Sequence, residues 1–377
     1  MQKSGKFKSY TSFSGDIPDF QKGRTRFVLA MGGSEISDVE GLSAAGNTAA
    51  ARRATPALDG DALCLPLENK INLPRSPLGV TSPVVITRAC LSLFEHDLSL
   101  VDCGSFQAPT VEHTSLSGIP AKNFSEAEAL PKALVENLFA AGLKLGASDE
   151  AYTQTVIAEC VPGGTTTAQA LMRLLGIDCR GLASSSIPDC SHDLKTLFID
   201  QAFENLCVRR RESLEAIQER CRQDPLLAVS LAGDPMQAFA AGFVLGASQT
   251  QTKKTSNPVI LAGGSQMLAV YALANRLNRS QPDGERGLNA VVATTCYVAG
   301  DPHADCPALA ALCGAPFIAA DLRLKESRHA GLRAYEDGHV KEGVGAGAAM
   351  LLASVLGGKS ERTIIDTIDH YYDLMVS

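Results

Sequence analysis

Short apolar runs recur along the chain, each ending in glycines and followed by an alanine- and leucine-rich stretch with helical spacing. That rhythm predicts repeated βα units. Residues 26–31 (RFVLAM) run into Gly32-Gly33-Ser34, residues 156–160 (VIAEC) lead to Gly163-Gly164-Thr165, and residues 259–262 (VILA) run into Gly263-Gly264-Ser265. Further strands are expected at residues 98–103 and 288–294. Residues 200–223 read as one long amphipathic helix stopped by Asp224-Pro225, and the Pro-rich stretch 56–83 as an irregular region lying over a site. The expected fold class is α/β: a mostly parallel sheet with Rossmann-like βα units flanked by helices, plus a smaller helical part.

Residues 141–148 (AGLKLGAS) are matched one hundred residues later by 241–248 (AGFVLGAS), and helix, loop, strand and glycine loop then follow in the same order. An internal duplication and a coincidence of helix-end composition both account for this pattern.

With 377 residues, 45% hydrophobic and 20% charged, the chain has the make-up of an ordinary globular protein. One large α/β domain over residues 1–377 is expected, with a smaller part formed mainly by the terminal segments. The net charge of −7 is dispersed, so no basic face offers itself to nucleic acid. Arg209-Arg210-Arg211 sits among glutamates and reads as a solvated helix face. Eleven scattered cysteines without a C-x-x-C pair suit small buried hydrophobes better than zinc or disulfides. A polar first twenty residues and no long apolar run lead us to expect a cytoplasmic protein that does not enter a membrane.

Two stretches could carry chemistry. In Lys341-Glu342-Gly343-Val344-Gly345-Ala346-Gly347 a carboxylate precedes three alternating glycines that open an apolar helix. Bared amides at a helix start can cradle an anion, and a carboxylate beside them can take a proton. Close helix packing with Glu342 as a first-turn acid explains the same residues. In Glu159-Cys160-Val161-Pro162-Gly163-Gly164-Thr165-Thr166-Thr167, two glycines and three hydroxyls at a strand-to-helix turn suit phosphate or ribose, although a tight turn with one cap needs some of them too.

Together these stretches resemble the acid–glycine–Thr-Thr motif and the Glu-Gly-x-Gly-Ala motif of the nicotinate-nucleotide–dimethylbenzimidazole phosphoribosyltransferase family. Gly233-Asp234-Pro235 and the Ala241-Gly242 pair look like that family's Gly-Asp helix, and Gly263-Gly264-Ser265 sits where it has another glycine-bearing strand end. The resemblance covers roughly residues 25–355, and it points to a divergent branch marked by residues 41–48 (GLSAAGNT) and 54–59 (ATPALD). Departures are visible: Gly164 replaces an asparagine, Val344 a hydroxyl residue, and Glu326-Ser327-Arg328-His329 a histidine-rich segment.

The resemblance implies transfer of a phosphoribosyl group from nicotinate mononucleotide to an aromatic base, without cofactor or metal and in a homodimer, within cobalamin biosynthesis. The leaving group is already a pyridinium, so one positioned base and an anion anchor suffice. The resemblance implies Glu342 as that base and Glu159 as a second catalytic residue, for positioning or for the ribose cation. Gly163, Gly164, Thr165, Thr166, Asp234, Gly263, Gly264, Ser265, Lys341, Gly343 and Gly345 are the expected substrate contacts. Lys325 is an alternative to Lys341 for the phosphate, and Arg323, His329 and His339 could shape the pocket. Two rival readings can be weighed. A dinucleotide wrapped by Gly343, Gly345 and Gly347 fails for want of a preceding strand. A non-catalytic nucleotide-binding homologue is favoured by Val344 and Gly164 and opposed by Glu342.

Overall fold

The computed structural model describes residues 3–4, 7–9, 20, 22–69, 72–148, 152–251, 257–279 and 287–376. In chain order the strands are β1 (Lys3–Ser4), β2 (Phe7–Ser9), β3 (Thr25–Met31), β4 (His96–Asp102), β5 (Thr114–Ser115), β6 (Gln154–Cys160), β7 (Val259–Ala262), β8 (Ala290–Thr295) and β9 (Phe317–Ala320). They form one sheet in the order β1-β2-β9-β8-β7-β6-β3-β4-β5. From β9 to β5 every pairing is parallel, while β2 adds to β9 and β1 to β2 antiparallel. The strands expected near residues 26, 98, 156, 259 and 288 are all present, and β9 is an addition. Its four residues, FIAA, are too short and too Ala-rich to stand out from helix.

Helices α1 (Ala49–Cys64), α2 (Val84–Leu91), α3 (Lys132–Ala147), α4 (Gly164–Leu174), α5 (His192–Arg210), α6 (Leu214–Gln223), α7 (Pro225–Ala232), α8 (Pro235–Gln251), α9 (Ser265–Arg279), α10 (Cys296–Ala299), α11 (Cys306–Cys313), α12 (Ala330–Arg333), α13 (Ala346–Val355) and α14 (Glu361–Val376) cover both faces. Side chains of a strand alternate between faces. Val28, Ala30 and Ile157 therefore join a core with α3–α9 and α11, while Phe27, Leu29, Val156 and Ala158 join another with α1, α2, α13 and α14. Burial on both sides explains why these strands are apolar at nearly every position. Nine of the eleven cysteines are buried, and all eleven are free thiols. Among the described residues no helix is long and apolar enough to cross a membrane.

Two local expectations are corrected. The stretch near Pro56 is helical, because α1 runs through Pro56; only the residues beyond it form a loop. The single helix over 200–223 is instead two. Arg211 takes a left-handed conformation (φ 55°) that ends α5, and Ser213 caps α6 by accepting from the Ala216 amide. Arg209 reaches the Phe124 and Ser125 carbonyls and Arg210 pairs with Glu128, so these arginines fasten a loop.

The two copies of the AGxxxGA pattern pack against each other. A Cβ at Gly142 would lie 2.0 Å from the Phe239 carbonyl oxygen, and one at Gly242 would lie 2.1 Å from that of Phe139. Gly146 and Gly246 stand against the Phe243 and Leu143 carbonyls in the same way. Four glycines thus let the α3 and α8 backbones touch, and α8 is thereby pressed into the layer that carries Asp234. Gly→Ala inside a helix ordinarily stabilises by up to about 1 kcal/mol. Here the sign reverses: Gly242→Ala should destabilise by about 1–3 kcal/mol through overpacking. Thermal melting against Ala140→Ser on the exposed face of α3 checks this, and an unchanged or raised melting temperature for Gly242→Ala contradicts it.

Candidate active site

The sheet reverses its winding between β3 and β6, since β4 lies on one side of β3 and β6 on the other. Ligands of open α/β sheets bind beyond the carboxyl ends of strands at such a point. Here β6 ends in Glu159-Cys160, α4 starts at Gly164 and α9 at Ser265, and two adjoining hollows share Glu159, Ser186, Gln266, Val340 and Glu342. One, of about 550 Å³ with its open mouth, has apolar walls from Ala44, Ala45, Pro74, Val80 and Pro162, with Asp59, Thr55, Arg75 and Ser82 among its polar lining. The other is lined by hydroxyls and helix starts: Thr165, Ser184, Ser185, Gly264 and Ser265. The first amides of α4 and α9 have no intrahelical partner, so this second hollow suits an anion. An apolar compartment, a pair of acids and a polar compartment therefore follow one another.

Glu342 is held by four donors. Its Oε2 accepts from Thr294 Oγ1 at 3.0 Å and the Thr295 amide at 2.8 Å; its Oε1 accepts from the amides of Gly343 at 3.1 Å and Gly347 at 3.2 Å. Gly347 must be glycine, because a Cβ there would lie 2.1 Å from the Thr294 carbonyl carbon. The segment around the acid is bent: Val340, Lys341 and Val344 all have φ between 54° and 66°. Such conformations persist only where the surroundings enforce them. The Lys341 ammonium, buried, pairs with Asp301 at 2.6 Å and reaches the Ile187 and Pro188 carbonyls, while Asp301 also accepts from Ser184. The Val344 amide donates to the Glu159 carbonyl and ties this loop to β6.

Burial pushes the Glu342 carboxyl up to about 7 against the pull of its four donors. Glu159, only 4% exposed, is pushed up to about 8, first by burial and then by the neighbouring charge of Glu342. Two acids poised near neutrality in one cleft are typical of proton-transfer sites.

The expected substrate contacts separate into two sets. Thr165, Gly264, Ser265 and Gly343 line the hollows, and Gly163 and Gly164 line a polar side recess next to them. Gly163 needs its left-handed φ of 80°, and Gly164 admits the Gln266 side chain, whose Oε1 has no partner among the described residues. Lys341 also borders the hydroxyl-rich hollow, but its ammonium and the remaining residues are turned to other partners. Thr166 is fully buried, and Asp234, also buried, caps α8 through the Gln237 amide and accepts from Thr167, so it has no face toward the cavity. Gly263 and Gly345 are outside the lining; a Cβ at Gly345 would meet Ala158 at 2.8 Å. The Lys341 ammonium is committed to Asp301 instead of an incoming phosphate. The α13 glycines bare amides as expected, yet those of Gly343 and Gly347 bind the protein's own Glu342. Arg323 pairs with Glu336, His329 stacks on Tyr372, and Lys325 and His339 are likewise outside the lining.

Sequence reasoning missed Thr294, Thr295, Asp301, Asp59 and the serines at 184–186. Three consecutive serines and the Thr-Thr at the end of β8 were the available signals. A carboxyl whose native pKa lies above its unfolded value near 4.5 binds more protons folded than unfolded, so its contribution to stability falls as pH rises between the two. Glu159→Gln removes that penalty. The variant should melt a few degrees above wild type at pH 8, with the gap closing toward pH 4.5; a gap that does not change with pH contradicts the assignment.

Comparison with known proteins identifies the family and the fold. The model of the phosphoribosyltransferase family matches residues 90–334. The chain is 40% identical over 354 residues to a UPF0284 protein of Gloeobacter violaceus, covering 93% of this chain and 88% of that one. It is 33% identical over 352 residues to a UPF0284 protein of Saccharolobus solfataricus, covering 93% of each. Among solved structures, CobT from Thermus thermophilus superposes with a TM-score of 0.54 at 18% identity, over 89% of this chain and 84% of that one. The nicotinate-nucleotide–dimethylbenzimidazole phosphoribosyltransferase of the same organism superposes with a TM-score of 0.52 at 16% identity, over 92% and 83%. The fold is thus that of these enzymes, and the chain belongs to the phosphoribosyltransferase family, in the branch of the UPF0284 proteins.

Proposed function

We propose that the protein transfers the 5-phosphoribosyl group of nicotinate mononucleotide to a ring nitrogen of an aromatic base, releasing nicotinate and forming the lower-ligand nucleotide of a cobamide. The observation that carries this reading is Glu342, fixed by four donors at the junction of an apolar and a hydroxyl-rich compartment. In this reading the phosphate lies against the starts of α4 and α9 among Thr165, Ser184 and Ser265, and the acceptor lies between the apolar walls. The ribose C1′ then sits beside the two acids.

The acceptor N–H gives its proton to Glu342 as the nitrogen attacks C1′. The bond from C1′ to the pyridinium nitrogen breaks, its electron pair returns to that nitrogen, and neutral-ring nicotinate leaves. Displacement from the opposite side inverts C1′. Glu159, when ionised before the step, faces the positive charge that gathers on the ribose and stabilises it most in the transition state, with no proton of its own to transfer. The Lys341–Asp301 pair positions the loop that carries the base and does not touch substrate.

The test is nicotinate release followed by chromatography, with nicotinate mononucleotide and a panel of azole acceptors. Release should require an acceptor, and Glu342→Gln should lower kcat/KM by about 10²–10⁴. Because the base works deprotonated, kcat/KM should fall as pH drops below about 7. Tight nucleotide binding without release from any acceptor would instead identify a non-catalytic nucleotide-binding protein.

A further inference from the structure

The apolar compartment contains an acid that the proposed chemistry does not use. Asp59 lies on α1 one turn after Thr55, and both line this compartment and not the hydroxyl-rich one. Asp59 is 2% exposed. Its Oδ2 accepts from the weak donor Cys160 Sγ at 3.3 Å, the Ser82 hydroxyl is near enough to favour the ionised form, and Oδ1 makes no hydrogen bond among the described residues. No Lys, Arg or His pairs with it among the described ion pairs. A buried carboxyl with an unmatched oxygen is costly to keep, at about 1–3 kcal/mol for the unmade hydrogen bond alone. The two nearest explanations within the protein fail. Asp59 caps no helix end, since it lies in the middle of α1, whose start is capped by Thr48. It also holds no loop: Asp61, two residues on, does that by accepting from the Thr110 and Val111 amides.

The rest of the compartment indicates the shape of what would satisfy it. Ala44, Ala45, Pro74, Val80, Pro83 and Pro162 offer small apolar surfaces suited to the faces of a flat ring. Glu342 also borders the hydroxyl-rich compartment, which in the proposed reading puts the reacting ring nitrogen beside it. A ring reaching from Glu342 toward Asp59 would bring its far edge to a carboxyl, and an apolar edge there would leave that carboxyl unmatched.

We infer that Asp59 is a specificity-determining residue of the acceptor compartment, and that the acceptor is a fused azole bearing an amino or ring N–H donor on the edge remote from the reacting nitrogen. This is a purine-type ring in preference to one edged only with hydrogens or methyl groups. The inference rests on the proposed transferase reading for the word acceptor, but not for the ligand. Burial also raises the Asp59 carboxyl to about 7, against the pull of Ser82 and Cys160.

The test uses the full chain with two matched pairs, adenine against purine and 4-aminobenzimidazole against benzimidazole. Each is measured as acceptor with nicotinate mononucleotide and, by calorimetry, as ligand. Wild type should favour the amino-bearing member of each pair about ten- to a hundredfold in kcat/KM and in affinity. In Asp59→Val and Asp59→Asn, whose folding is checked by melting, the ratio should fall toward one for the valine variant and change least for asparagine, which keeps an acceptor oxygen. Turnover whose amino preference is absent, or is the same in wild type and Asp59→Val, overturns the inference and leaves the transferase standing. Asp59-dependent binding of the amino-bearing rings without turnover supports the inference and overturns the transferase. Neither binding nor turnover of any of the four rings overturns both.

Discussion

Everything in the site depends on how one carboxylate is tied down. Glu342 bridges two backbones, taking Thr294 and Thr295 at the end of β8 on one oxygen and the first turn of α13 on the other. The bridge closes only because α13 starts in contact with β8, which Gly347 permits by having no side chain. Four donors would ordinarily hold a carboxyl ionised; burial works against them, and the balance leaves the acid near neutrality. A free carboxylate on a mobile loop would have neither the fixed direction nor the matched proton affinity that a general base requires.

The surrounding structure keeps that arrangement in place. Residues 340, 341 and 344 hold left-handed conformations that a free loop would relax. The buried Lys341–Asp301 pair anchors them from one side, with Asp301 also gripping the serine loop through Ser184, and the Val344 amide anchors them to β6 from the other. Glu159 sits on that same strand, so the two acids are held by directly connected backbone. Loss of either member of the ion pair would leave an unmatched buried charge, which is far costlier than the pair is stabilising.

Much of the sheet was legible in the sequence, because strands buried on both faces are apolar throughout and end abruptly in glycine. The parallel order followed from helices between the strands, whereas β9 and the antiparallel edge gave no comparable signal. In the site, the alternating glycines marked Glu342, but the amides they bare receive the protein's own carboxylate, and the helix starts that line the polar hollow are those of α4 and α9. Lys341 and Asp234 look like ligand groups in the linear sequence and are structural in three dimensions, one buried against Asp301 and the other capping α8. Asp59 was legible only as part of a branch-marking stretch, since its unmatched oxygen is a property of packing between α1, Cys160 and Ser82 that no spacing encodes.

The central claim is a single displacement at C1′ assisted by one base, and the anomeric configuration of the product tests it most directly. Starting from β-nicotinate mononucleotide, the account predicts that proton NMR of the isolated ribotide shows the α-anomer alone. A β-configured product would mean two successive inversions, through a covalent ribosyl adduct on a group such as Glu159, and would contradict the account.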